Sequence, residues 1–210
     1  MNFKPKVLAI YLLATMMLLA VAVASVFLDV RIPKFTKDVA ATADVHPFAG
    51  ILSNLGIYLW CTSASCSFFA AALLHDTNRT KHFSFLFSSA LLSTYLMIDD
   101  AFLLHDFLLP EYCHVDEKAV FVLLGLTVIA YLKYFLQMIL KTQYAILLAA
   151  FAFLSSSVVV DTIVGPWLQQ LGEWEFFVED GLKWLGIVSW SVYYVMTSYR
   201  FVVQEHELGC

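Results

Sequence analysis

Long apolar runs alternate with short polar turns along the whole chain. Each run is about as long as the roughly 20 residues that a helix needs to cross a bilayer. We therefore predict an all-α fold, a polytopic membrane helix bundle with six transmembrane helices, in which residues 1–210 form a single integral-membrane domain. The predicted helices cover residues 7–28, 47–74, 83–109, 119–140, 144–164 and 178–203.

The composition favours a membrane protein over a soluble one. Hydrophobic residues make up 61% of the chain and charged residues 14%, and the mean hydropathy is +0.78, whereas soluble domains are about half apolar. The net charge of -5 argues against a nucleic-acid partner, because no basic face is available to replace phosphate counterions. We expect membrane lipid as a partner, with a homo-oligomer or a partner membrane subunit left open.

The third predicted helix carries an unusual concentration of ionisable residues. Asp99 and Asp100 are followed by His105 and Asp106 before the chain reaches Pro110. At 1.5 Å per residue, Asp99 and Asp100 lie roughly 15 Å from the helix end, near the middle of the membrane. A charged side chain at that depth costs about 2.5 to 3.5 kcal/mol even on insertion scales. These residues therefore indicate a functional site.

Helical geometry predicts which of these side chains share a face. At about 100° per residue, Tyr95, Asp99 and Asp106 fall on one narrow stripe, and Asp100 belongs to a second stripe beside it. His105 points roughly 120° away from Asp99. An unbroken helix therefore cannot bring His105 and Asp99 onto one ion.

Polar residues also interrupt the second predicted helix. Asn54, Tyr58, Thr62 and Ser65 recur at i, i+4, i+8 and i+11 and form one stripe. We expect this stripe to face the bundle interior, where such side chains hydrogen-bond between helices. Asn54 would then support the site.

Two further predicted helices place polar groups at a membrane depth similar to that of the acidic residues of the third. Ser157 and Asp161 are i, i+4 in the fifth predicted helix and share a face. The sixth begins with Glu179 and Asp180, and Lys183 follows at a spacing that allows a local ion pair. We also expect Lys183 to neutralise the acidic cluster when that cluster is empty.

The distribution of basic residues predicts the orientation of the chain. With the N- and C-termini in the cytoplasm, the cytoplasmic side carries more lysine and arginine than the outer side, as the positive-inside rule requires. The acidic site then opens to the extracytoplasmic side. The cytoplasmic set is Lys4, Lys6, Arg79, Lys81, Lys133, Lys141 and Arg200, against Arg31, Lys34, Lys37 and Lys118 outside.

Three functions fit an acid-rich site inside a membrane. Our leading hypothesis is a divalent metal of unknown identity that acts on a lipid or lipid-linked substrate, because carboxylates and imidazole suit such ions. The same carboxylates would alternatively carry protons or cations in a transporter or channel subunit. A third hypothesis is a structural or assembly role, in which acidic and basic residues pair between helices.

Sequence motifs leave the chemistry open. The chain contains no His-Glu-x-x-His, P-loop or Gly-x-Ser-x-Gly motif, so whether it is an enzyme stays undecided. The predicted metal or proton site consists of Asp99, Asp100, Asp161, His105, Asp106, Glu179 and Asp180. The predicted supporting residues are Lys183, Tyr95, Ser157 and Asn54.

Overall fold

The computed structural model describes residues 3–37, 39–75, 80–161 and 174–208. Regular structure in those residues is helical throughout, with no strand, and this confirms the predicted all-α class. Contacts divide the chain into two compact units, residues 1–50 and residues 51–210.

The first unit is dominated by one apolar helix. Helix α1 covers Phe3–Phe27, and two short helices follow, α2 (Pro33–Thr36) and α3 (Val39–Ala43). Apolar side chains are exposed along α1 from Tyr11 to Phe27. A helix that is apolar around its whole circumference is typical of a protein core or a membrane.

The second unit contains the remaining helices that the structure describes. Their bounds are α4 (Ile51–Leu74), α5 (Thr80–Phe102), α6 (Leu109–Cys113), α7 (Glu117–Ile139), α8 (Tyr144–Val159) and α9 (Trp174–Leu208). Helix α4 packs against α5 and α9, and α8 packs against α9.

Three of these helices, α4, α5 and α7, are long and apolar enough to cross a membrane. They correspond to the second, third and fourth of the six predicted spans. The end of the fifth predicted helix, residues 162–164, lies outside the described residues.

Small residues form much of the buried face of α4. Gly56, Ser63, Ala64, Ser67 and Ala70 are all buried there. Small side chains let the backbones of neighbouring helices approach closely, and this allows α4 to pack against both α5 and α9.

The polar stripe of α4 does not face the bundle interior, so that expectation was wrong. Asn54, Tyr58, Thr62 and Ser65 are all exposed. The Thr62 hydroxyl donates to the Tyr58 carbonyl one turn earlier, at 2.8 Å. Because its own helix satisfies such a hydroxyl, a polar side chain need not point toward another helix.

Aromatic residues and hydroxyl groups fill the core between α5, α7 and α9. Ser89 Oγ lies 2.7 Å from the Tyr131 hydroxyl, which lies 2.9 Å from the Tyr194 hydroxyl. Trp190 Nε1 donates to Ser93 Oγ at 3.0 Å. Each of these polar groups is buried and hydrogen-bonded, so burying it carries little of the cost of an unpaired group.

Helices α8 and α9 are closely packed at Gly186. A Cβ atom placed there would lie 2.6 Å from Leu154 Cγ and 3.1 Å from the Leu154 backbone nitrogen. The position therefore has no room for a larger residue unless α8 moves. Gly181, in the same helix, would meet nothing within 4 Å.

We expect Gly186→Ala to lower the free energy of unfolding by about 1 to 3 kcal/mol, because the new methyl group overpacks the contact with Leu154. Gly181→Ala is the matched control and should raise it by up to about 1 kcal/mol, since alanine favours helix more than glycine. Unfolding in detergent, followed by tryptophan fluorescence, measures both. Equal effects of the two substitutions would contradict the close approach of α8 and α9.

Candidate functional site

The helix that carries the acidic residues is not continuous, which corrects the single helix expected over residues 83–109. It breaks at Leu103, whose φ of 51° and ψ of 50° are left-handed. A π-helical turn, Leu104–Leu108, follows, and Pro110 stands at the start of α6. The Leu103 carbonyl accepts hydrogen bonds from the backbone N–H groups of Phe107 and Leu108, at 2.9 and 3.0 Å. These bonds begin a new turn after the break.

The break folds His105 back onto Asp99. The His105 backbone N–H donates to Asp99 Oδ1 at 3.1 Å, and His105 Nδ1 lies 2.6 Å from Asp99 Oδ2. The predicted separation of the two side chains by roughly 120° was therefore wrong, because it assumed an unbroken helix. Asp99 is only 6% exposed, and both of its oxygens contact the same histidine.

The second nitrogen of the imidazole faces another carboxylate. His105 Nε2 lies 3.0 Å from Asp106 Oδ1, and the Asp106 side chain is 50% exposed. Phe121 of α7 packs against the ring, with centroids 4.8 Å apart. Asp106, His105 and Asp99 thus form a line of short contacts from an exposed carboxylate to a buried one. We name this line the acid–imidazole chain.

The surroundings of His105 favour its charged form. The hydrogen bond to Asp99 raises the pKa of the imidazole, and burial opposes this rise in part. The negative charges of Asp99 and Asp106 raise the pKa further, whereas the positive charge of Lys183 lowers it. The net shift is upward, because the two carboxylates stabilise the imidazolium.

Asp100 has a separate set of partners. Lys183 Nζ of α9 lies 2.8 Å from Asp100 Oδ1, and Trp60 Nε1 of α4 donates to Asp100 Oδ2 at 2.8 Å. One carboxylate therefore joins three helices, α4, α5 and α9. Asp106 and Asp180 also lie within electrostatic range of the Lys183 ammonium group.

The structure brings together only part of the predicted site. Ser157 donates to the backbone carbonyl of Glu179 at 3.1 Å and so links α8 to α9. Tyr95 is half-buried and within electrostatic range of Asp99. Among the contacts that the structure describes, none joins the remaining three candidates to Asp99 or Asp100, and all three are exposed: Asn54, Asp161 and Asp180.

A metal ion needs several donor side chains directed at one point. Within residues 3–37, 39–75, 80–161 and 174–208, no group of three or more His, Cys, Asp or Glu side chains is arranged so that it could hold a metal ion. Among the acidic candidates, Asp99 is engaged by His105 and Asp100 by Lys183 and Trp60. The divalent metal therefore stays a prediction, and the described residues contain no set of ligands that supports it.

Two residues of the site were missed in the sequence. Trp60 lies in the middle of an apolar helix, where a buried indole N–H requires an acceptor. That requirement, together with the two aspartates on the next helix, was a signal for the contact with Asp100. Phe121 left no comparable signal, because one phenylalanine in an apolar helix does not indicate a partner.

The chain matches a family model over most of its length. A family model described as a domain of unknown function (DUF8692) matches residues 8–197, which is most of the chain. No curated protein and no solved structure matches significantly.

We expect the pKa of His105 in the folded protein to exceed its ordinary value of about 6.5, and Asp99→Asn to lower it again. A histidine whose pKa is raised on folding adds stability that is fully present below about pH 6.5 and is lost as the pH rises through the folded-state pKa. The wild type should therefore exceed His105→Gln in free energy of unfolding at acidic pH, and this difference should decrease as the pH rises. NMR titration of labelled histidine measures the pKa, and unfolding at several pH values measures the difference. A difference that grows with pH would contradict the prediction.

Lys183→Met should lower the free energy of unfolding by about 1 to 3 kcal/mol, because it leaves the Asp100 charge without its cation. The loss is smaller than for a fully buried pair, since the Lys183 side chain is 42% exposed. Adding Asp100→Asn should recover part of the loss. Lys133→Met, at an exposed lysine of α7, is the matched control, with an expected change within about 0.5 kcal/mol. If the variant with both Lys183→Met and Asp100→Asn is no more stable than Lys183→Met alone, the ion pair between Asp100 and Lys183 is refuted.

Proposed function

This chain belongs to the family described as a domain of unknown function (DUF8692), and we propose that it is a multi-pass integral membrane protein that relays protons to a buried carboxylate. In this proposal the chain is a proton-conducting subunit of a transporter or channel. The observation that carries the proposal is the acid–imidazole chain, in which both nitrogens of His105 face carboxylates of different exposure.

The geometry supports proton transfer through the imidazole. A proton that arrives by way of Asp106 binds Nε2, and the resulting imidazolium releases its Nδ1 proton to Asp99 across 2.6 Å. Each passage leaves the ring in the other tautomer, so rotation of the ring or exchange with water must reset it. The two carboxylates beside His105 raise the pKa of the imidazole, so they stabilise the charged intermediate of this transfer.

The contacts of His105 favour a relay over nucleophilic catalysis. An activated Ser, Thr or Cys needs a base within about 2.6–3.2 Å. No such side chain contacts His105 in the described parts of the chain, where its partners are Asp99, Asp106 and Phe121. Both ring nitrogens already have carboxylate partners.

Asp100 has a structural role in this proposal. Its charge is matched by Lys183, and its second oxygen accepts from Trp60. A carboxylate held in this way joins helices α4, α5 and α9. The structural hypothesis thus applies to Asp100, while Asp99 carries the proton.

We also propose six spans with both termini in the cytoplasm. Three helices in the described part of the chain have the length and composition to cross a membrane, and the positive-inside rule orients them. Lys81 and Lys141 then lie on the cytoplasmic side, and the acid–imidazole chain lies on the opposite side. Protons would enter from the extracytoplasmic face.

Reconstitution of the purified protein in liposomes tests the relay. A potassium diffusion potential should drive proton uptake, reported by an enclosed pH-sensitive dye. We expect His105→Gln and Asp99→Asn to lower the flux by roughly 100-fold, as is typical when a positioned proton carrier is removed. Asp161→Asn is the matched control, since Asp161 is exposed and lies outside the chain of contacts.

Two outcomes would reject the proposal. One is the absence of flux in folded wild-type protein, and the other is full flux in folded His105→Gln protein. Loss of flux in Asp161→Asn would show that the relay residues are wrongly assigned.

A further inference from the structure

Three cations line one cavity at the end of the bundle that is opposite to the acid–imidazole chain. The cavity has a volume of about 750 Å³ and lies where α5 begins and where α7 ends. Its cations are Lys81 of α5, Lys141 of the turn after α7, and Arg200 of α9. All three are exposed, and no acidic side chain pairs with any of them in the parts of the chain that the structure describes. We name this the cationic pocket.

Uncharged donors complete the lining of the cationic pocket. Gln137, Gln204 and Thr80 contribute amide and hydroxyl groups beside the three cations. A phosphate has several acceptor oxygens and a negative charge, so a site that combines lysine, arginine and amide donors complements it well. This part of the molecule therefore fits an anionic head group.

An apolar groove lies beside the cationic pocket. It has a volume of about 650 Å³, lies between α5 and α7, and is lined mostly by apolar side chains such as Leu91, Leu123 and Leu124. Tyr134 and Phe135 line both cavities, so the groove and the pocket adjoin. One end of the combined site is cationic and the other is apolar.

We propose that this combined site binds an anionic phospholipid, with the phosphate in the cationic pocket and an acyl chain along the groove. Basic pockets between membrane helices are suited to anionic lipid head groups. A soluble phosphate would use only the cationic pocket and would leave the adjoining groove empty. The proposal does not depend on the proton relay, because none of its residues belongs to the acid–imidazole chain.

Native mass spectrometry of the full-length protein in detergent tests this site. Dioleoyl phosphatidylglycerol should bind more tightly than dioleoyl phosphatidylcholine, because only the former carries a net negative charge. Substitution of the three pocket cations by glutamine should weaken phosphatidylglycerol binding by roughly fivefold per charge removed. Lys133→Gln is the matched control: it removes one charge from α7 outside the lining and should leave the affinity unchanged.

A variant of the groove separates a lipid from a soluble anion. Ala130 lines the groove, and Ala130→Trp should fill it. We expect this change to weaken the binding of dioleoyl phosphatidylglycerol at least severalfold. The binding of its dihexanoyl analogue should not change, because its chains are too short to need the groove. Circular dichroism and thermal unfolding show whether each variant is folded. Lys141→Gln alone, in an exposed turn, changes the protein less than the triple substitution of the pocket cations does.

Three results would overturn the proposal. The first is equal binding of the two dioleoyl lipids, and the second is unchanged affinity after loss of the pocket cations. The third is displacement of the lipid by millimolar inorganic phosphate together with no effect of Ala130→Trp. That result would show a site for a soluble anion and no role for the groove.

Discussion

The arrangement of the larger unit depends on neutralising Asp100. A carboxylate in a low-dielectric interior is costly unless it is paired and hydrogen-bonded. Lys183 supplies the counter-charge from α9, and Trp60 supplies a hydrogen-bond donor from α4. Because each partner belongs to a different helix, satisfying this one side chain holds three helices in a fixed register.

The neighbouring Asp99 is also hydrogen-bonded, but its partner is close to it in the sequence. Its oxygens accept the His105 backbone N–H and contact the imidazole, which replaces hydrogen bonds that a continuous helix would have made. A left-handed leucine costs roughly 1 to 2 kcal/mol, and the contacts of Asp99 offset part of that cost at Leu103. The strained backbone is what places the imidazole between a buried carboxylate and an exposed one.

The two ends of the bundle therefore carry opposite chemistry. The end of α5 holds carboxylates and one imidazole, whereas the start of α5 shares a pocket with the cations of α9 and of the turn after α7. The apolar groove between α5 and α7 adjoins the cationic pocket and reaches Tyr95, one helical turn from Asp99. Helix α7 contributes both to the groove and, through Phe121, to the packing on His105.

The sequence by itself determined the helical class and the positions of the long apolar helices α4, α5 and α7, because the length of an apolar run is a local property. It also identified Asp99, Asp100 and His105 as candidates, because a charge within an apolar run is visible in the sequence. Only the tertiary structure decided how those residues pair. Helical geometry separates His105 from Asp99, and no local signal marks Leu103 as left-handed, since leucine disfavours that conformation. Likewise, the exposure of Asn54 and the contact of Trp60 with Asp100 depend on which faces of α4 meet α5 and α9. Polarity along one helix cannot determine that, because a hydroxyl is satisfied equally well by its own backbone.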